Sequence, residues 1–320
     1  MIVWNQLRPW DKDTALALGF FDGVHHAHRI VIEQAVTFWK EGLEPGVLSF
    51  SIQNARPDSK KGYLEITTPT VKNALFFTTG VAFAGCPAFE TIQNMEPEQF
   101  FLDVLYKQMR AKVLVCGQDY RFGKNAAGTT DLLRSLGETY GVRVYVMPEL
   151  VDDDEPVSSS RIRRYIQEGN MEEAHRMLGY PYTFDFPVTH GAKIGRMFGI
   201  PTINQVFPER YVMPRFGVYA SLSIIGKKEY LSITNIGVKP TVSNVRTPLA
   251  ETHIIGFSDN LYDQRVPVCL LEFLRPEQRF KNMGLLAEAV QQDIRKVEQK
   301  YRRHPVYLPL GFTEGLALRP

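Results

Sequence analysis

Gly19-Phe20-Phe21-Asp22-Gly23-Val24-His25-His26-Ala27-His28 stands where an apolar run gives way to helical periodicity. Ahead of it, Thr14-Ala15-Leu16-Ala17-Leu18 reads as a buried strand. Behind it, Arg29 to Gly42 carries Ile30, Val31, Ala35, Phe38 and Trp39 as the apolar stripe of an amphipathic helix. The stretch therefore fills a strand-to-helix crossing. In an open α/β sheet such a crossing is where nucleotides bind, because a helix start offers free N–H groups and a positive dipole end to phosphate. His25 and His28 are three apart, so within a first helical turn they share one face. Read without context, the same residues also fit an ordinary tight connection with two surface histidines.

Working outward, the first half alternates strand and helix. Gly46 to Ile52 reads as a strand, Pro69 to Phe77 as a helix and Val81 to Ala84 as a strand. Glu96 to Met109 reads as a helix, and Lys112 to Cys116 and Val142 to Met147 as strands. Alternation of this kind predicts a mostly parallel, Rossmann-like sheet with helices on both faces. The acidic run Asp152-Asp153-Asp154-Glu155 reads as a solvated loop without chemistry. The composition changes near Thr183 to Pro187. Beyond that point short strands over Phe216 to Ile225, Glu229 to Asn235, Glu251 to Phe257 and Val266 to Leu274 predict a small antiparallel β-barrel. A long helix follows from about Leu285 to Tyr301, with Leu286, Val290, Ile294, Val297 and Tyr301 on one face. The fold class expected is thus α/β plus β, with domains at 1–182 and 183–304 and an irregular tail at 305–320.

Three further stretches carry chemistry. Gly117-Gln118-Asp119-Tyr120-Arg121-Phe122-Gly123 ends a strand on the side where ligand loops of such sheets lie. Val157-Ser158-Ser159-Ser160-Arg161-Ile162-Arg163 opens a helix with three hydroxyls and two arginines, more than an N-cap requires. In the barrel half, Gly191, Gly195 and Gly199 recur at four-residue spacing around Arg196, ahead of Pro201-Thr202-Ile203-Asn204. Such a glycine loop either turns flexibly or exposes N–H groups to phosphate. Glu251, on a strand, either faces water or supplies a base.

The bulk properties are those of an ordinary globular chain. It has 320 residues, 44% hydrophobic and 22% charged, which is enough for two cored domains. A formal charge of +2 is too balanced to argue for nucleic acid or a membrane surface. The three cysteines, Cys86, Cys116 and Cys269, form no CxxC pair, which fits a reducing compartment and excludes the usual zinc spacings. The opening residues do not read as a signal peptide, and no apolar run reaches the roughly 18 residues of a membrane span, so a cytoplasmic location is expected. Homo-oligomerisation is left open.

Taken together these motifs resemble a known family. GFFDGVHHAH is similar to the GxFDGxHxGH signature of the nucleotidyltransferase module of bacterial bifunctional riboflavin kinase/FAD synthetases, with Ala27 in place of the glycine between the histidines. GQDYRFG resembles the GxDFRFG loop, SSSRIR the SSTxxR motif and PTIN the kinase PTAN motif. The resemblance runs over about residues 14 to 300. It implies that ATP is bound by Gly19, Phe20, Phe21, Asp22, Gly23, His25, His28, Ser158, Ser159, Ser160 and Arg163 in the first module, and by Gly191, Gly195, Arg196 and Gly199 in the second. It implies flavin contact by Gly117, Asp119, Tyr120, Arg121, Phe122 and Gly123, Mg2+ ligation by Thr202 and Asn204, and catalytic roles for His25, His28, Arg163 and Glu251. The expected reactions are phosphorylation of riboflavin to FMN and adenylylation of FMN to FAD, with ATP as co-substrate and pyrophosphate released in the second.

Other readings stay open on the residues alone. Ala27 makes adenylyl transfer the step lost in a member with a single active module. A different adenylyl- or cytidylyltransferase is disfavoured by the PTIN barrel. A non-catalytic flavin-binding regulator is disfavoured by keeping Glu251 beside Thr202 and Asn204, and would bind flavin without turning over ATP.

Overall fold

The computed structural model describes residues 1–52, 62–191, 195, 199–240 and 246–317. Compactness divides the chain into two units, one of Met1–Tyr63, Lys72–Ser158 and Gly315–Pro320, the other of Leu64–Val71 and Ser159–Glu314.

In the first unit, strands β1 (Ile2–Trp4), β2 (Thr14–Leu18), β3 (Glu44–Leu48), β4 (Phe83–Gly85), β5 (Ala111–Gly117) and β6 (Arg143–Met147) form one parallel sheet in the order β1-β4-β3-β2-β5-β6. Every residue of β2 is buried, as expected of a central strand covered on both faces. The chain steps outward from β2 to β3 and β4, then returns to place β5 on the other side of β2. The order therefore reverses between β2 and β5, and the loops after these strands leave from neighbouring carboxyl ends, where Leu18 pairs with Cys116. That is the topological switch point at which open α/β sheets hold ligands.

The helix after β2, α1 (His26–Thr37), begins three residues earlier than its apolar period predicts. The reason is a polar cap: the His25 side chain accepts from the His28 N–H. Its inward face is Val31, Ile32 and Ala35, continued by Phe38; Ile30 and Trp39, expected inside, are exposed. Ile30 lies off the stripe by its helical angle, and Trp39 falls in a tighter 3-10 turn, Phe38–Glu41, where the period changes. Next come α2 (Pro69–Thr78) and a short α3 (Pro97–Gln99). The expected helix to Met109 is a π-helix over Phe100–Gln108, closed by Met109 N–H donating to the Val104 carbonyl five residues back. It buries Phe100, Phe101, Val104 and Leu105 in the core that holds Leu16, Leu18 and Leu114. Helix α4 (Thr130–Tyr140) is capped by Thr129. The acidic run is exposed from Asp153 on, with Asp152 half-buried, and is ordered as a hairpin, β7 (Val151–Asp152) with β8 (Glu155–Pro156). Asp153 and Asp154 both take positive φ, as the tightest hairpin turn requires.

The second unit carries α5 (Ser159–Glu168) and α6 (Met171–Leu178), then the sheet β10-β11-β14-β13-β12-β15-β9. Its strands are β9 (Thr183–Phe184), β10 (Val188–Thr189), β11 (Ile203–Val206), β12 (Gly217–Ile225), β13 (Lys228–Pro240), β14 (Arg246–Ile254) and β15 (Val268–Arg275). All its pairings are antiparallel. The two edge strands, β9 and β10, are consecutive in sequence, so the sheet curls back on itself as an open barrel. One of its faces holds a buried ladder of hydroxyls: Thr252 to Thr234 at 2.9 Å, Thr234 to Ser221 at 2.8 Å, Ser221 to Ser232 at 2.9 Å and Ser232 to Ser223 at 3.0 Å. Helix α7 (Met283–Arg303) packs on β13 and buries Ile294 and Val297 from the expected stripe, while Asp293 pairs with Arg275 at 2.8 Å. The tail is not wholly irregular, since Phe312–Leu316 forms α8, anchored by buried Phe312 beside Tyr180.

Candidate functional site

The loop after β2 is built on unusual backbone. Phe21, Gly23 and Val24 all have positive φ, at 51°, 81° and 37°. For Phe and Val this conformation is strained, by roughly 1–3 kcal/mol each, and must be held by neighbours. Phe21 folds back over Gly19, where a Cβ would meet its ring at 2.8 Å, so the first glycine of the motif is a steric necessity. Buried Asp22 accepts from the Tyr63 hydroxyl at 2.9 Å, and the Phe20 carbonyl accepts from Ser49 Oγ at 2.8 Å. His25 is buried at the helix cap, and its ring stacks on that of His28 with centroids 3.6 Å apart. His25 Nδ1 accepts from the His28 N–H, which leaves the ring proton on Nε2 in the neutral form. The two imidazoles thus share one face at the start of α1, as their spacing predicts.

From the neighbouring strand end, Gly117 accepts from the Tyr120 N–H to close a turn. Phe122 is buried and bridges to Gly128, and Tyr120 stacks on Phe122 at 5.8 Å. Burial pushes the Tyr120 hydroxyl well above the ordinary phenol range, so it stays protonated. Gly123 has φ of 71°, and a side chain there would strike Pro97. Asp119 and Arg121 point outward as exposed side chains.

Ser158 stands immediately before α5, with Ser159 and Ser160 in its first turn. Arg161 is buried and its Nε donates to the Tyr165 hydroxyl at 3.3 Å. Arg163 Nε donates to the Leu64 carbonyl at 2.6 Å.

In the barrel, register assembles the residues. Asn204 on β11 pairs with Glu251 on β14, and Glu251 pairs with Asn235 on β13. Directly opposed residues project to one face, with Cβ atoms about 5 Å apart, so a carboxylate lies between two amides. Thr202, two residues before Asn204, lies where β11 begins. The Pro201 carbonyl accepts from His253 Nδ1 at 2.8 Å, which fastens the PTIN turn to β14. Ile203, the variant position, pairs with Thr252 and so projects to the opposite face from Asn204. Asn204 is buried, and its Oδ1 finds no hydrogen-bond partner among the described residues. Gly191 lies against the Asn204 amide, with no room for a side chain. Gly199 has φ of 72°, and Gly195 accepts from the Ile200 N–H. Arg196 lies outside the described residues.

Beside Thr202 opens a cleft of about 480 Å³, lined also by Ile203 and Thr252, on the strand face away from Asn204 and Glu251, and by Asp259, Asn260 and Tyr262. Sequence reasoning missed this wall. Its signal is faint: a polar Ser258-Asp259-Asn260 turn between two aromatics, ordered by the Tyr262 N–H donating to Asn260 Oδ1 and by His190 against Tyr262 at 3.9 Å.

A parallel-sheet unit with a capped nucleotide-type crossing, joined in one chain to an antiparallel barrel with its own polar site, defines a two-module transferase. Residues 8–161 match the family model described as FAD synthetase and residues 178–301 the one described as riboflavin kinase. Bifunctional riboflavin kinase/FMN adenylyltransferase of Listeria monocytogenes is 34% identical over 87% of this chain and 90% of its own length. The protein of that description from Escherichia coli K12 is 31% identical over 91% and 94%. The chain belongs to the bifunctional riboflavin kinase/FMN adenylyltransferase family. A crystal structure from Streptococcus pneumoniae, described as a macrolide-efflux protein, shares its fold with a TM-score of 0.79 and 27% identity, over 93% of this chain and 99% of that one. Among the described residues no helix is long and apolar enough to cross a membrane.

Proposed function

We propose that the barrel module transfers the ATP γ-phosphoryl group to the ribityl hydroxyl of riboflavin, giving FMN and ADP, and that the first module joins AMP from a second ATP to FMN, giving FAD and pyrophosphate. The observation that carries the proposal for the barrel is the register that sets Glu251 opposite Asn204 on the neighbouring strand, with Thr202 two residues before Asn204. Glu251 takes the hydroxyl proton as the oxygen attacks the γ-phosphorus and the bond to ADP breaks. The donor set fits Mg2+, which prefers hard oxygen ligands. Asn204 Oδ1 is buried without a partner among the described residues, and Thr202 offers a hydroxyl. Bound with ATP, the ion would supply neutralisation of phosphate charge, and Thr202 and Asn204 would hold it.

In the first module the FMN phosphate attacks the α-phosphorus and pyrophosphate leaves. His25 and His28, at the helix start, stabilise the developing charge. The Ser158, Ser159, Ser160 and Arg163 turn is assigned to ATP phosphates, and the Gly117–Gly123 loop to the flavin. The functional division is drawn at 182/183, and a cytoplasmic location belongs to the same reading.

Chromatography of products after incubation with Mg2+ and ATP tests both halves. Riboflavin should yield FMN and then FAD, and supplied FMN should yield FAD. FMN alone from riboflavin, with no FAD from supplied FMN, leaves a kinase with a silent first module, whereas FAD from FMN alone silences the barrel.

A further inference from the structure

The strained loop after β2 has a fastening that no motif signals. Lys72, on α2, follows Val71 and precedes Ala74, Leu75 and Phe76, all fully buried, and is itself only 9% exposed. Lysine is seldom taken out of water without oxygen partners to receive its charge. Here Nζ donates to the Phe20 carbonyl at 2.5 Å and to Ser49 Oγ at 2.9 Å, and Ser49 Oγ donates to the same carbonyl at 2.8 Å. The ammonium also lies over the Phe20 ring, 4.7 Å from its centroid. Two groups, from α2 and from the residue after β3, thus close on one carbonyl, and that carbonyl immediately precedes Phe21, the first of the positive-φ residues that aim His25 and His28.

We propose that Lys72 is a positioning residue for adenylyl transfer, a buried cationic clamp that, with Ser49, holds the Phe20 carbonyl and thereby keeps the Phe21–Val24 turn in its strained form. This rests on assigning adenylyl transfer to the Gly19–His28 loop. A clamp of this kind acts on geometry at the reacting phosphate rather than on flavin capture, which is assigned to the other loop, so its loss lowers kcat more than it raises KM for FMN. A charge-keeping replacement that donates to both oxygens should recover most of the rate.

The test measures FAD formation from FMN and FMN formation from riboflavin in the same full-length preparations of Lys72→Met, Lys72→Arg, Ser49→Ala and His28→Ala, each assayed well below its own melting transition. For Lys72→Met the expected result is a roughly 10- to 100-fold fall in adenylyl kcat, with KM for FMN and riboflavin phosphorylation within about threefold of the parent. Lys72→Arg should restore the rate to within about fivefold. Adenylyl kcat within about twofold of the parent in Lys72→Met, or an equal proportional fall in both activities, overturns the clamp. Should Lys72→Met not fold, Ser49→Ala carries the test, with a roughly threefold or larger fall in adenylyl kcat expected and an unchanged value overturning it. Loss in His28→Ala with full activity in Lys72→Met leaves the site assignment standing and removes the clamp; full activity in His28→Ala removes the assignment and the clamp together.

Discussion

The two candidate sites are built by opposite means. In the first unit, the Gly19–His28 loop holds its residues by backbone that is unfavourable in itself, with Phe21 and Val24 in the left-handed region, locked by Tyr63, Ser49 and Lys72. In the barrel, Asn204 and Glu251 stand on regular strands, and none of Thr202, Asn204 or Glu251 has positive φ. Their placement follows from pairing, in which a slip of one residue would turn each side chain to the opposite face. A loop site of the first kind is vulnerable at the side chains that fasten it. A register site is vulnerable at the reacting side chains themselves and at whatever fixes the pairing.

The largest effect expected from that contrast is at Glu251. Glu251→Gln keeps shape and strand pairing but removes the carboxylate proposed as the base, so FMN formation from riboflavin should fall roughly 10²- to 10⁴-fold while FAD formation from supplied FMN is spared. Loss of both would break the separation into two sites. Next is His28→Ala, which removes the stacked partner of His25. Adenylyl transfer should drop roughly 10²- to 10³-fold and FMN should accumulate from riboflavin. Unchanged FAD output would take His28 out of the mechanism.

Smaller effects sharpen the comparison from the stability side. Thr234 bridges Ser221 and Thr252 in the buried hydroxyl ladder, so it ties β12, β13 and β14 at the register that sets Glu251. Thr234→Val is nearly isosteric but removes the ladder partner of Thr252 and leaves Ser221 bonded to Ser232 alone. A loss of about 1–3 kcal/mol by urea unfolding is expected, with the kinase transition affected. Asp185 offers a pH test. Burial raises its carboxyl above the usual 3.8, against the Thr68 hydrogen bond and the Arg265 charge, which pull it down. The folded chain therefore binds this proton more tightly than the unfolded chain, and stability falls as pH rises from 3.8 through the raised native value. Asp185→Asn should melt higher than the parent at neutral pH, and the difference should vanish as pH falls toward about 3.8. The pair with Arg265 at 3.7 Å is not expected to offset this, because Arg265 is largely exposed.

Much of this was legible in the sequence, for identifiable reasons. Thr14–Leu18, the α2 segment and the long α7 stripe follow from hydrophobic period alone, and the Gly19–His28 crossing follows from the change of period. The pairing of β2 with β5 is not written in any local stretch, yet it brings the two motif loops to adjacent strand ends. The meeting of Asn204 and Glu251 depends on a register between segments 47 residues apart. Lys72 and Ser49 were invisible because each is unremarkable in its own segment and acquires meaning only where α2 and β3 converge on Phe20. The π-helix was missed because its apolar spacing over Phe100–Leu105 also satisfies an α-helix. The α8 turn was missed because Pro305, Pro309 and Gly311 read as breakers, whereas Phe312 is buried just beyond them.

The smallest effect concerns Ala27, where the family signature has glycine. Ala27 lies half-buried in the first turn of α1, between the capping His25 and its stacked partner His28. Side chains on a helix tilt toward its N-terminus, so the Ala27 methyl leans into the space that the first N–H groups face. A phosphate bound there, as proposed, would meet that methyl. Glycine at this place therefore relieves contact while loosening the helix by about 0.5–1 kcal/mol. Ala27→Gly should raise adenylyl kcat/KM for ATP by roughly two- to fivefold, a change worth under about 1 kcal/mol, while lowering the melting temperature slightly and leaving riboflavin phosphorylation untouched. If the melting temperature falls without any gain in adenylyl transfer, the methyl does not crowd the nucleotide, and the strained loop rather than the helix start sets how closely ATP approaches.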